Sequence, residues 1–340
     1  MKSYLKKKGI EISFQAYGIK ALSFMASGLF ASLIIGVIFK TLGDEVPGVP
    51  AFFSEIGEFA MQPIVYGGAI GVAIAHGLKA PPLVLYSALF AGAYGAFEGG
   101  PAGSFIAALL AIELGKLISG TTKIDIVVTP FFTILIGFLT GSFVGPYISS
   151  ALTGFGEIII WATDLQPFLM GAIIAALMGL ALTAPISSVA IAIMLDLEGL
   201  AAGAATIGCV AQMVGFAVGS YRENGIGGLV SQGLGTSMLQ IGNIVRKPIV
   251  LIPPTLTGLI LGPISTVWLQ LENNAYGAGM GTSGMVGPIM TLQTMGFHTD
   301  IYVIILVFYL IVPAVMSLLM FEWMRKKGYI KTGDLKLNVN

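Results

Sequence analysis

What this sequence has least of is charge: only 10% of its 340 residues are Asp, Glu, Lys or Arg. Soluble domains carry about 25%, and the shortfall runs along the whole chain, which excludes an ordinary soluble core with a solvated surface. Net charge is zero and the sequence pI is about 6.7, so there is no basic stripe of the kind nucleic acid requires. The single cysteine, Cys209, rules out an intrachain disulfide. Its setting, GAATIGCVAQMVGF, points to a buried inert thiol. The two histidines, His76 and His298, lie far apart with no cysteine nearby and show no metal-ligand spacing. We expect no metal and no other cofactor. No Ser-His-Asp spacing, Walker motif or H-E-x-x-H occurs, so no catalytic residue is assigned. No N-x-S/T sequon is present either, so glycosylation gives no clue to compartment.

What remains is apolar. Hydrophobic residues make up 56% of the chain, and its mean hydropathy is +0.90. A spanning helix needs about 20 such residues, which allows roughly ten spans and no separate soluble domain. The runs fall near 21–39, 60–76, 82–97, 103–119, 126–148, 166–183, 199–220, 226–243, 248–268 and 301–323. Segments 184–198 and 277–296 differ: the first is short, and the second is broken by glycines and a proline. The expectation is therefore an all-α polytopic membrane protein with about ten transmembrane helices plus two re-entrant hairpins. The start, MKSYLKKK, resembles the charged region of a signal peptide, but the run behind it is long and many follow, so we read an uncleaved first span. Residues 4–20 suit an interfacial helix or, equally, a basic tail.

Orientation follows from Lys and Arg placement. Lys2, Lys6, Lys7 and Lys8 precede the first span; Arg325, Lys326, Lys327, Lys331 and Lys336 follow the last. Both termini are expected in the cytoplasm of a bacterial cell, with the spans in the inner membrane. Asp44, Glu45, Glu55 and Glu58 then fall outside, and Lys79, Lys116, Lys123, Arg246 and Lys247 inside; Arg222 is the exception. In this topology 184–198 enters from the cytoplasm and 277–296 from the outside, an arrangement that transporters use to build a site near the midplane.

Candidate binding residues cluster on these two segments. Gly279-Met280-Gly281-Thr282-Ser283-Gly284 matches G-x-G-x-x-G, but no strand or βαβ unit surrounds it, which removes the dinucleotide reading. Its glycines let backbone approach a ligand closely, and Thr282 and Ser283 add hydroxyls; a Gly-rich packing contact is the plainer alternative. In Ala184-Pro185-Ile186-Ser187-Ser188 the proline starts a helix at no hydrogen-bond cost, leaving Ser187 and Ser188 in its first turn, where they face either a solute or their own helix. Glu272, Asn273 and Asn274 precede the second segment, and His298 follows it. Gln232 and Gln293 are the membrane amides most suited to line a polar solute, with interhelical bonding the alternative. Glu113 and Lys116, three apart on one helix, are expected to pair with each other. Glycines at four-residue spacing, such as Gly137, Gly141 and Gly145, make faces for close helix packing within or between subunits.

Ala184-Pro185-Ile186-Ser187-Ser188-Val189-Ala190-Ile191-Ala192, Gln166-Pro167-Phe168-Leu169-Met170-Gly171 and Gly281-Thr282-Ser283-Gly284-Met285-Val286-Gly287-Pro288 resemble the membrane (IIC) component of phosphotransferase-system sugar permeases, and most of all the subgroup called regulators of perfringolysin expression. The resemblance implies a homodimer in the lipid membrane. It also implies a scaffold and dimerisation half (1–154), a transport half (155–325) holding the sugar, and a cytoplasmic tail (326–340). Such permeases usually place a glutamate in a hairpin beside the sugar, together with a histidine. Here 277–288 has no carboxylate; Glu272 and His298 flank it. No IIA- or IIB-like stretch is recognised, so phosphate transfer would need separate IIA and IIB partners, and enzymatic activity stays open. The leading expectation is a carrier for a small hydroxyl-bearing solute, a sugar, working by alternating access. The alternative is a membrane sensor that binds a solute and regulates gene expression through a partner.

Overall fold

The computed structural model describes residues 2–45 and 48–337. Among these residues the chain is helical throughout, and its only strand-like contact is an isolated bridge between Gly199 and Asn273. Six helices are long and apolar enough to cross a membrane, or seven if the bent pair Phe52–Ala60 and Pro63–Gly77, which meet at 57°, counts as one span. The shorter helix Pro167–Thr183 is also apolar. The count by length is thus below the expected ten, and one physical reason is visible in Pro82–Ile118. This 37-residue helix breaks at Gly99 and Gly100, where Gly100 takes φ 60°, a conformation open to glycine at little cost. A Cβ on Gly95 would lie 2.5 Å from the Gly103 carbonyl oxygen, and one on Gly115 would lie 3.2 Å from Val84. Residues 82–98 and 101–118 therefore run antiparallel, folded back at the glycine pair. The opposite happens at Asp125–Thr163, 39 residues long. It continues through Pro130 and Pro146.

Two compact units make up the chain: Met1–Lys40 with Glu55–Leu152, and Thr41–Ser54 with Thr153–Asn340. In the first, Gly137, Gly141 and Gly145 lie along Ala91, Tyr94 and Glu98, so this small-residue face serves a helix pair within the chain. Lys116 is buried and pairs with Glu113 at 2.7 Å, as its spacing suggests. The N-terminal segment adds a bond from the Lys116 ammonium to the Gly9 carbonyl, 3.3 Å. Phe131, Phe132, Phe143 and Tyr147 point outward. An exposed apolar face of that extent suits lipid, not water.

The second unit is arranged around Gly199–Gly219, in which residues 202–217 are all buried. A helix apolar on every side needs neighbours on every side. Pro167–Thr183 approaches it closely, since a Cβ on Gly208 would lie 1.9 Å from the Ala175 carbonyl oxygen. Ile252–Pro263 packs on both: a Cβ on Gly258 would lie 3.4 Å from the Gly208 Cα, and one on Gly262 2.1 Å from the Gly171 carbonyl oxygen. Ile207, Val210, Val214, Leu261, Leu271 and Tyr309 form the apolar cluster on one side. Phe216, Ile244, Val250, Phe321, Met324, Ile330 and Leu335 form another.

Candidate functional site

Both unusual segments lie in the second unit, and they meet. Segment 184–198 is a short helix, Ser188–Met194, begun by the Ser187 side chain, which accepts from the Ala190 N–H. This is an N-cap of the usual hydroxyl type. The turn that closes the segment places Asp196 at φ 48°. Segment 277–296 comprises Ala275–Ala278, a turn of the Ser283–Met285 type and Val286–Met295. Gly281, Gly284 and Met285 all have positive φ there. The Ser188 hydroxyl donates to the Gly279 carbonyl oxygen at 2.6 Å. A Cβ on Gly279 would lie 2.5 Å from the Val189 Cα, so backbone of one segment rests on backbone of the other.

The tip of the second segment is held against the central helix. Gly281 sits against Cys209, where a Cβ would come within 2.8 Å of the Cys209 backbone carbon. The Thr282 hydroxyl donates to the Gly233 carbonyl oxygen. Ser283 is 1% exposed, and its hydroxyl has no hydrogen-bond partner. Such groups are rare because each costs about 1–3 kcal/mol. Ser188, Thr282 and Ser283 are all buried, so the junction is closed to water.

The remaining candidates divide by surroundings. Asn273 is buried; its amide nitrogen lies 2.9 Å from the Thr206 hydroxyl, 3.0 Å from that of Thr291 and 3.2 Å from the Gly287 carbonyl oxygen. Thr291 in turn contacts the Tyr309 hydroxyl at 2.8 Å. Asn274 caps Ala275–Ala278, accepting from the Tyr276 and Gly277 N–H groups at 3.1 Å. Gln232 is buried and donates to the Ser220 hydroxyl and the Gly228 carbonyl oxygen, both at 2.8 Å. It also accepts from the Gln240 amide at 2.8 Å. These three side chains are thus occupied by protein groups. Glu272, Gln293 and His298 are exposed. Sequence reasoning missed Cys209, Gly233 and Tyr309 as neighbours of the segments. Only the period of the central helix could have suggested Cys209, and nothing local marks Gly233. Among the described residues no group of three or more His, Cys, Asp or Glu could hold a metal ion.

The two segments thus meet at a buried polar junction within the second unit. Residues 19–337 match the family model described as Phosphotransferase system, EIIC, and the chain belongs to that family. It is accordingly a multi-pass membrane protein and, in general terms, a sugar permease of the phosphotransferase type, a class that works with IIA and IIB proteins. No curated protein and no solved structure matches the chain.

Proposed function

We propose that the chain binds its sugar at the junction of segments 184–198 and 277–296 and moves it by alternating access. The observation that carries this reading is the Ser283 hydroxyl, buried and unpaired beside the Thr282–Gly233 bond, four residues beyond the Gly279 carbonyl held by Ser188. A sugar leaving water must regain its hydrogen bonds, and this hydroxyl is left over to supply one. The closed junction would open when the second segment moves away from Ser188–Met194, exchanging the Ser188–Gly279 bond for bonds to the solute. Asn273 holds the base of the moving segment, and Asn274 its first turn. Glu272 and His298, at the exposed ends, stand where a solute would enter or leave.

The wider reading is a homodimer of the perfringolysin-regulator subgroup in a bacterial inner membrane, termini in the cytoplasm, whose contact falls in 1–154. Any phosphorylation of the sugar is left to separate IIA and IIB proteins. Titration of purified protein with a panel of hexoses, hexitols and disaccharides tests the site. Ser188→Ala and Ser283→Ala should weaken binding about fivefold each, the equivalent of one neutral hydrogen bond. Ser149→Ala, in the stretch Gly145-Pro146-Tyr147-Ile148-Ser149 of the first unit, should change little. Unchanged affinity for both site variants, with normal folding, would move the site elsewhere.

A further inference from the structure

The charged end of the chain is not a loose tail. Residues 328–337 are laid over the second unit and fixed by side chains from three separate stretches. Leu335 donates its N–H to Glu223 at 2.8 Å, and its carbonyl oxygen accepts from Asn224 at 2.9 Å and Gln240 at 3.0 Å. The Lys336 carbonyl oxygen accepts from Asn243 at 3.0 Å, and the Leu337 N–H donates to Asn224 at 2.9 Å. Arg246 donates to the Gly333 carbonyl oxygen at 2.9 Å, and Lys247 pairs with Asp334. Ile330 and Leu335 are buried in the cluster around Phe216 and Phe321.

This strap connects to the solute segment by consecutive bonds. The Gln240 amide nitrogen has two hydrogens; one partner is the Leu335 carbonyl oxygen, the other the Gln232 side-chain oxygen. Gln232 lies in the wide turn Ser231–Gly235, closed by an i+5 bond from the Thr236 N–H to the Ser231 carbonyl oxygen. The next residue, Gly233, offers the carbonyl that holds Thr282. We propose that the strap, acting through Gln240 and Gln232, positions Thr282 and Ser283 and so sets how readily the second segment opens. Gln232 and Gln240 are positioning residues that bind no solute. The inference rests on the placement of the solute site proposed above. A displaced strap would free Gln240 and let the 231–235 turn, and Thr282 with it, relax away from the central helix.

The test uses the full chain with Ser283→Cys as a reporter in a Cys209→Ala background, because Gly281 of the segment covers Cys209 and opening would uncover that thiol as well. The rate of thiol labelling then reads opening of the segment without any sugar. Gln240→Met, which deletes both relay bonds, and Leu335→Ala, which loosens the strap from its far end, should each speed labelling about tenfold, the size of effect such networks carry. A parallel Ile330→Cys reporter shows whether the strap has loosened. Faster labelling at Ile330→Cys with an unchanged rate at Ser283→Cys overturns the inference and leaves the strap a local fastening. If Gln240→Met does not fold, Leu335→Ala carries the same comparison. Accelerated Ser283→Cys labelling with sugar affinity indifferent to Ser283→Ala would instead retain the relay and reject the solute site.

Discussion

Removing the Ser283 hydroxyl should move stability and affinity in opposite directions. In the sugar-free protein this group is buried with no partner, and such a group costs about 1–3 kcal/mol. Ser283→Ala should relieve part of that and raise the stability of the empty protein by about 1 kcal/mol. With sugar bound, the hydroxyl is satisfied, and its loss removes about 1 kcal/mol of binding, or about fivefold in Kd. Ser188→Ala is the contrasting case. It deletes the 2.6 Å bond to the Gly279 carbonyl oxygen, so it should lower stability and affinity together, each by about 1 kcal/mol. Thermal unfolding in detergent, with and without saturating sugar, reads both quantities. The variant at Ser283 should unfold at a higher temperature than wild type when empty, and gain less from sugar. A drop in stability for Ser283→Ala, or an undiminished shift with sugar, would refute the reasoning, because the hydroxyl would then already have its partner.

Asn273→Ala removes the amide that Thr206, Gly287 and Thr291 share, and should destabilise the second unit by about 2–3 kcal/mol, read as earlier unfolding with or without sugar. Gly279→Ala places a Cβ 2.5 Å from the Val189 Cα; since backbone must move, the two segments should separate, and sugar binding should be lost in a protein that still extracts as a folded species on size-exclusion chromatography. Asp334 holds the strap as a carboxylate. Burial alone would raise its pKa, but the Lys247 hydrogen bond, the Lys331 N–H and the charges of Lys247 and Arg246 outweigh it and hold the carboxyl below its ordinary value. A lowered folded pKa stabilises above the unfolded value of about 3.9 and is lost as pH falls through the folded one, so Asp334→Asn at neutral pH should speed hydrogen exchange at the Leu335 and Leu337 amides. For topology, a cysteine at Asp44 should react with an impermeant thiol reagent added outside and one at Lys327 should not; equal labelling would defeat the assignment of termini.

The sequence showed its breaks better than its partners. Gly99-Gly100-Pro101 and the glycine string 277–288 interrupt helical runs in ways composition alone reveals, because positive φ favours glycine. The opposite entry expected of the two segments pointed to a shared site near the midplane, but not to which residues touch. Lost in the sequence was the destination of each amide. Gln232 looks the same whether it faces a sugar or another glutamine, and its contact with Gln240 depends on a wide turn that no hydropathy period predicts. Asn273 and Asn274 are neighbours of identical type, yet one is the buried centre of a network and the other a helix cap. The strap escaped notice because its charges read as a solvated tail, while the two apolar residues that anchor it, Ile330 and Leu335, are too sparse to register as an element.

Sugar protection of a thiol at the junction tests the central claim most directly. Ser283→Cys and, as control, Ser149→Cys, each in the Cys209→Ala background, would be labelled with a small permeant reagent in the presence and absence of the sugar that binds best in the titration panel. Saturating sugar should slow labelling of Ser283→Cys several-fold and leave Ser149→Cys unchanged. Equal labelling of Ser283→Cys with and without sugar, in protein shown by titration to be saturated, would contradict it.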